Sequence, residues 1–236
     1  PNALRREFKK MCGTKTSGKC KKNKETVIVE YSSPNVAKPL HIGHLRSTII
    51  GDALANLYDF MGYSVVRWNY IGDWGTQFGK TIAAYKHWGD KEKIKKRPVE
   101  ELSSLYIKFH EEARQHPELE DEAREEFKKL ESGDKNNLKL WKWFKRESLK
   151  ELSRIYNKLG VRFSVYLGES FYQDKMEKSV EALIADGLTQ KSEGALIVPL
   201  DKYGLPPGLI KKSDGATLYL TRDIPNLEYR LDEYKP

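Results

Sequence analysis

Two histidines three residues apart, His41 and His44, flank Gly43 in the string Ala37-Lys38-Pro39-Leu40-His41-Ile42-Gly43-His44. Imidazoles at that spacing share one face of a helical turn, and both can hydrogen-bond a phosphate or the ribose beside it. Gly43 lets a large planar group approach the backbone closely, and Lys38 brings a cation to the same place. A lone histidine here would more often be an ordinary cap. Two of them around a glycine point to a bound anion.

Position strengthens this. Thr26 to Tyr31 (TVIVEY) is a short β-branched run, the pattern of a strand buried on both faces. Ser32, Ser33, Pro34 and Asn35 break it, and from Ile42 apolar residues recur at Leu45, Ile49, Ala53, Leu57 and Met61, with Gly62 as the stop. The histidines thus open a helix directly after a strand. At such a place free N–H groups and the positive end of the helix dipole face anionic ligands.

Ser64 to Ile71 reads as a second strand, and Trp74, Phe78, Ile82, Tyr85 and Trp88 give a second helical stripe after Gly72. A β-α-β-α order predicts a parallel sheet with crossover helices. From about Asp90 to Gly160 the texture changes to charged helices with narrow apolar faces: Leu102, Leu105, Phe109 and Ala113, then Leu138, Trp141, Phe144, Leu152 and Leu159. Pro98, Pro117 and Gly133-Asp134 are the expected breaks. Further strands are expected at Phe163 to Leu167 and Ala195 to Leu200, with a helix through Met176, Val180 and Ile184 between them.

The chain has 236 residues, 39% of them apolar, and a net charge of +8. Of 42 Lys and Arg, nine fall in residues 1–24 beside a single acid, Glu7, so the remaining 33 bases face 33 acids. The basicity belongs to an N-terminal segment, expected to be a solvated, poorly ordered linker with weak phosphate contacts. No apolar run approaches the roughly 20 residues of a membrane span, and the start is not an apolar leader. Cys12 and Cys20 have neither Cys nor His partners nearby, so neither a zinc site nor a disulfide framework is expected, and a reducing cytosol fits best.

His41-Ile42-Gly43-His44 is similar to the HIGH tetrapeptide of class I aminoacyl-tRNA synthetases. The longer string from Val27 to Lys80, with its SSPN turn, AKPLHIGHLRSTIIGD helix start and GDWGTQFG turn, resembles the arginyl-tRNA synthetase family in particular. Gly168-Glu169-Ser170, Lys212-Ser213-Asp214-Gly215, Tyr219 and Asp223 extend the likeness, which covers most of residues 26–235 and is absent from residues 1–25. It implies an α/β fold: the first half of a doubly wound, Rossmann-like (HUP-type) parallel sheet with an inserted helical subdomain. Accordingly, residues 1–25 are expected as a basic tail, 26–90 as the first half of the catalytic domain, 91–210 as the largely helical insertion and 211–236 as the start of the second half.

The resemblance implies an ATP-dependent arginine–tRNA ligase. In that family the carboxylate of the amino acid attacks the α-phosphate of ATP and expels pyrophosphate. The nucleophile is already ionised, so alignment and charge stabilisation carry the catalysis. By resemblance His41, Gly43 and His44 contact ATP and Lys38 assists phosphate binding. Glu30 ends the first strand and Asn35 lies in the turn leading to His41, a placement suited to the α-ammonium and α-carboxylate, and the resemblance adds Ser32. Glu30 follows a wholly apolar run, where an unpaired charge would be costly, so it is expected to require a cationic partner.

The guanidinium wants carboxylates for its planar fork and a flat or hydroxyl partner. Tyr219 and Asp223 are one helical turn apart. The resemblance assigns them this role, with Glu169 as a second carboxylate. Asp73 and Trp74 are expected as turn and core. Arginine, ATP with Mg²⁺ and an arginine-accepting tRNA are the implied substrates, with no tightly bound cofactor and no protein metal cage. The parent is expected to be a cytoplasmic monomer without membrane contact, with a mitochondrial pool as an option.

Two features depart from the family pattern. No KMSK-type loop or anticodon-binding domain follows, so the chain alone is expected to be inactive. Pro225 and Asn226 replace small residues and are expected to kink or delay the helix after Asp223. Two other readings are carried: a different HIGH-containing synthetase or nucleotidylyl transferase, and a non-catalytic synthetase-like binding module.

Overall fold

The computed structural model describes residues 2–13, 20–213, 215 and 217–236. Residues 14–19 of the basic segment and Asp214 of the Lys212–Gly215 motif lie outside them. The chain forms two compact units, Pro1–Tyr166 and Leu167–Pro236.

In the first unit, helix α1 (Asn2–Gly13) buries no residue. Part of the basic segment is therefore a solvated helix rather than an irregular linker. Its opening Asn-Ala-Leu-Arg-Arg-Glu residues include good helix formers and no breaker. Strand β1 (Thr26–Glu30) pairs in parallel with β2 (Ser64–Ile71), in register from Thr26 opposite Ser64 to Glu30 opposite Trp68. The parallel crossover is helix α2 (Ile42–Phe60), and α3 (Thr76–Trp88) follows β2. Strand β3 (Val165–Gly168), third in the order β1-β2-β3, straddles the boundary between the units.

One expectation of burial fails here. β1 is the edge of its sheet, so Thr26 to Val29 are half-buried rather than covered on both faces. On α2 the expected apolar stripe, from Ile42 to Met61, is exposed, and the helix instead buries Thr48, Gly51 and Ala55. Small residues let α2 lie close on the sheet, and the large ones face away from it.

Residues 91–159 fold as four helices, α4 (Lys91–Lys96), α5 (Pro98–Glu112), α6 (Glu118–Glu131) and α7 (Lys135–Leu159). Their boundaries sit where local chemistry demands. Asp90 caps α4 through the N–H groups of Glu92 and Lys93, Pro98 occupies the first turn of α5, and Asp134 caps α7 through Asn136 and Asn137. Gly133 takes φ +84 between α6 and α7, a conformation that favours glycine. The apolar faces meet α3 in one core that includes Phe78, Ile82, Leu102, Phe109, Trp141 and Phe144.

The second unit holds 3₁₀ turns at Glu169–Tyr172 and Asp201–Tyr203, helix α8 (Met176–Ala185), an antiparallel sheet and helix α9 (Tyr219–Tyr234). The sheet runs β4 (Gln190–Ser192), β5 (Ala195–Val198), β6 (Gly208–Lys211) in that order. α9 starts before Pro225 and continues through it, so the proline neither delays nor ends the helix. Thr221, one turn earlier, is anchored: its hydroxyl donates to the Ile210 carbonyl at 2.5 Å. No helix among the described residues is long and apolar enough to cross a membrane.

Candidate functional site

The end of β1, the connection that follows and the first turn of α2 carry seven of the residues singled out above: Glu30, Ser32, Asn35, Lys38, His41, Gly43 and His44. The turn is strained. Ser32 and Ser33 are consecutive non-glycine residues with φ of 70° and 44°, and Ala37 follows at 65°. Such conformations cost roughly 1–2 kcal/mol per residue and persist only where surrounding bonds impose them.

Those bonds come from α7 and β2. The buried Ser32 hydroxyl pairs with the Tyr156 hydroxyl at 2.6 Å, and Asn69 Nδ2 donates to the same Tyr156 oxygen at 3.2 Å. Asn69 Oδ1 accepts the Ser33 N–H at 3.2 Å. Burial pushes the Tyr156 phenol up from its usual range, so it stays a neutral partner. The Ser32 hydroxyl is thus already engaged with protein.

Downstream, the SSPN turn is sewn to the end of β2. Val36 N–H donates to the Gly72 carbonyl at 2.9 Å and Gly72 N–H to the Pro34 carbonyl at 3.0 Å, while Asn35 bridges Gly72 in parallel. A Cβ at Gly72 would lie 2.1 Å from Asn35 Oδ1, so only glycine permits this closeness. The SSPN and GDWG motifs, nearly forty residues apart, are therefore one local structure.

At the mouth of α2, His41 is the N-cap. Its Nδ1 accepts the Gly43 N–H at 3.2 Å, and His44 Nδ1 accepts the His41 N–H at 3.3 Å. A ring nitrogen that accepts carries no proton, so each neutral ring keeps its proton on Nε2, a donor still available to a ligand. The rings lie 3.9 Å apart, tilted by 43°. Burial, then the neighbouring His41, holds His44 below the ordinary histidine range, which keeps it neutral at pH 7. A Cβ on Gly43 would press to 3.0 Å against the His41 ring, so glycine also serves the cap itself.

Lys38 is exposed, its Nζ 5.2 Å from the centre of the Tyr106 ring of α5. Glu30 is exposed and accepts the Ser33 hydroxyl at 3.2 Å. The expected burial of Glu30 is corrected: as the last residue of β1 it lies beyond the apolar run, and water reaches the carboxylate.

In the second unit the 3₁₀ turn holding Glu169 packs on α9 through Phe171 and Tyr229, whose ring centres are 5.1 Å apart. Glu169 is 8% exposed and Tyr219 75% exposed, and Asp223 is exposed one turn after Tyr219.

Sequence reasoning missed the supports. Asp73 is fully buried; its carboxylate pairs with Lys145 of α7, and its carbonyl accepts the Trp141 Nε1–H at 2.7 Å. Tyr156, Trp141 and Lys145 lie 68 or more residues from the turns they hold, and no local pattern marks such partners.

The family model for "tRNA synthetases class I (R), catalytic domain" matches residues 9–236. It reaches into the basic segment, for which the sequence suggested no relation. The chain is 55% identical over 210 residues to arginine–tRNA ligase of Clostridioides difficile, covering 89% of this chain and 37% of that protein. To the ligase of Halothermothrix orenii it is 53% identical over 225 residues, covering 95% and 39%. Arginyl-tRNA synthetase from Plasmodium falciparum superposes with a TM-score of 0.75 at 32% identity, over 89% of this chain and 35% of that one. The Thermus thermophilus synthetase gives 0.70 at 25%, over 89% and 37%. The chain thus spans well under half the length of these relatives. The parallel β-α-β unit and these neighbours make the fold a Rossmann-like nucleotide-binding one, and the chain belongs to the class I tRNA synthetase (R) catalytic-domain family.

Proposed function

We propose that the chain supplies the adenylate-forming front of an arginine–tRNA ligase. The observation that carries this is the pair of histidines at the mouth of α2, each with Nδ1 spent on the cap and Nε2–H left to donate. The carboxylate of arginine attacks the α-phosphorus of ATP, a bond to oxygen forms and pyrophosphate leaves. His41 and His44 donate to the phosphoryl oxygens where negative charge grows, assisted by the positive end of the α2 dipole. Gly43 keeps the approach open, and Lys38 exchanges its ring contact for a phosphate. ATP brings its own Mg²⁺.

Protonation of His44 would turn Nδ1 from acceptor to donor and break the bond from the His41 N–H. The neutral ring is therefore the working form, and its lowered pKa protects it. Glu30 and Asn35 hold the α-ammonium and α-carboxylate; Ser32 shapes their turn and offers the substrate the part of its hydroxyl that Tyr156 leaves over. Tyr219, Asp223 and Glu169 receive the guanidinium. Transfer to the 3′ end of an arginine-accepting tRNA completes the reaction, in the cytoplasm and with the protein as a monomer. Relatives at 53–55% identity give a mitochondrial pool no support.

Titration calorimetry of the chain with arginine, lysine and glutamate tests the assignment. Arginine should bind best, and Asp223→Asn should weaken it roughly 10- to 100-fold, the worth of one charge-assisted bidentate contact. Equal affinities for arginine and lysine in both proteins would sink it.

A further inference from the structure

The strap of chain from Lys38 to His41 borders a cavity that the chemistry above does not use. Lys38 lies over the Tyr106 ring of α5, and the next two residues, Pro39 and Leu40, form one wall of a space of about 520 Å³. Its other walls come from the α4–α5 junction, from α5 and from α7, all within the first compact unit. The volume falls inside the roughly 300–1,000 Å³ of small-molecule sites. Leu40, Val99, Leu152 and Ile155 supply apolar lining; Val99 and Leu152 are buried, Leu40 and Ile155 half-buried.

Which ligand suits the space follows from which polar groups are already spent. Glu100 accepts from Arg97 at 3.3 Å and Glu151 from Arg154 at 3.1 Å, so both acids of the wall have basic partners in the same wall. Lys96, also in the wall, has no ion pair among the described residues. Nor do the hydroxyls of Ser103 and Ser104 make a hydrogen bond there, whereas Ser153 of α7 donates to the Leu149 carbonyl one turn back at 2.7 Å. An ammonium and two hydroxyls are therefore unspent beside an apolar lining. One negative charge on an apolar body answers both halves. A polyphosphate would bring more charge than one free cation meets and nothing for the lining, and a cation would find both acids occupied.

We propose that this cavity binds a small apolar monocarboxylate, an aryl- or branched-alkyl acid, with its carboxylate at Lys96 and the α5 hydroxyls and its body against Leu40, Val99 and Leu152. Such a ligand touches the strap where its own backbone holds it least. Lys38 N–H reaches the Asn35 carbonyl only at 3.4 Å, Pro39 has no N–H, and Ala37 just before them sits at φ 65. A body packed against Pro39 and Leu40 braces the segment that carries Lys38 and His41. That this brace acts on a phosphate grip rests on the function proposed above; the site itself does not.

The test titrates the full chain with phenylbutyrate as the probe and follows the methyl groups of Leu, Val and Ile by NMR. Saturable shifts are expected at Leu40, Val99 and Ile155, with little change at Leu54 and Leu57 on the exposed face of α2. Phenylbutanol, the same body without the charge, should bind roughly 3- to 5-fold more weakly, the worth of one exposed ion pair. Lys96→Gln should erase that difference and leave the alcohol's affinity as it was. Ser103→Trp, which fills the cavity, should abolish binding of both probes. If that variant misfolds, as circular dichroism would show, Lys96→Gln still decides, because Lys96 is exposed. Shifts on α2 as large as those at Leu40, or equal affinities for acid and alcohol in the unaltered chain, would overturn the proposal. So would displacement of phenylbutyrate by arginine, which would make the cavity part of the amino-acid site. Should the calorimetry with arginine fail while phenylbutyrate binding still depends on Lys96, the cavity stands and the proposed ligase chemistry falls.

Discussion

The β1–α2 connection and the α4–α7 bundle belong to one compact unit, yet they are held by opposite means. The bundle is regular: amphipathic helices, capped where Asp90 and Asp134 stand, bury Phe109, Phe144 and Leu102 completely. The connection contains three left-handed non-glycine residues and leads into a helix whose large apolar side chains face out. One region is stabilised by what it buries. The other is kept in an unfavourable shape by what its neighbours bond to it, as expected where a backbone must present groups to a ligand.

Core truncation should show this contrast at its greatest. Phe144→Ala should cost about 4 kcal/mol in urea unfolding, since a fully buried ring leaves a cavity in the core of the unit. A cost under about 1 kcal/mol would mean the bundle is not the stabilising region.

Next in size is a pH effect within the bundle. Glu126, whose side chain is 5% exposed, accepts from Lys86, from Lys129 at 2.9 Å and from Asn137 at 2.7 Å. Burial opposes its charge, but these partners prevail and bring the carboxyl from 4.5 down to about 2. Because the folded value lies below the unfolded one, the stabilisation, up to about 3 kcal/mol, is complete above the unfolded value. It is lost as pH falls towards the folded value. Comparison with Glu126→Gln should show a gap in urea midpoint at pH 7 that narrows by about pH 3. A gap constant with pH would refute the account.

The smallest effect is expected on α2. Leu57, 57% exposed, should lose less than about 0.5 kcal/mol on replacement by alanine. A loss near that of Phe144→Ala would mean that the outer face of α2 is covered in solution.

The same contrast governs what could be read from residues alone. Helix boundaries were legible where the signal is local, as at Pro98, Pro117 and Gly133-Asp134. So was the strand–turn–helix around His41 and His44. Burial was legible in the bundle, whose faces cover one another, and misread on β1; on α2 it was not legible, because period 3.6 identifies a helix without saying what lies against it. Strands β4 and β6 escaped notice; QKS and GLIK are too short and too mixed for an alternating pattern. Pro225 misled because its buried position and the Thr221 anchor outweigh a local preference. The hydroxyl of Tyr156 and the ammonium of Lys145 gave no sign at all, their importance being wholly one of distance in the chain.

Those two side chains share a single helix with Trp141. Trp141 and Lys145 grip the turn after β2, and Tyr156 grips the turn after β1, about 22 Å further along if each residue rises 1.5 Å. The length of α7 between its anchors is consequently a gauge. A residue inserted between positions 145 and 156 would swing one anchor by roughly 100° relative to the other, since a helix turns by that angle per residue. Added residues before position 141 or beyond 156 leave both grips in phase. Over time this helix can grow at its ends, but its middle is fixed to the count.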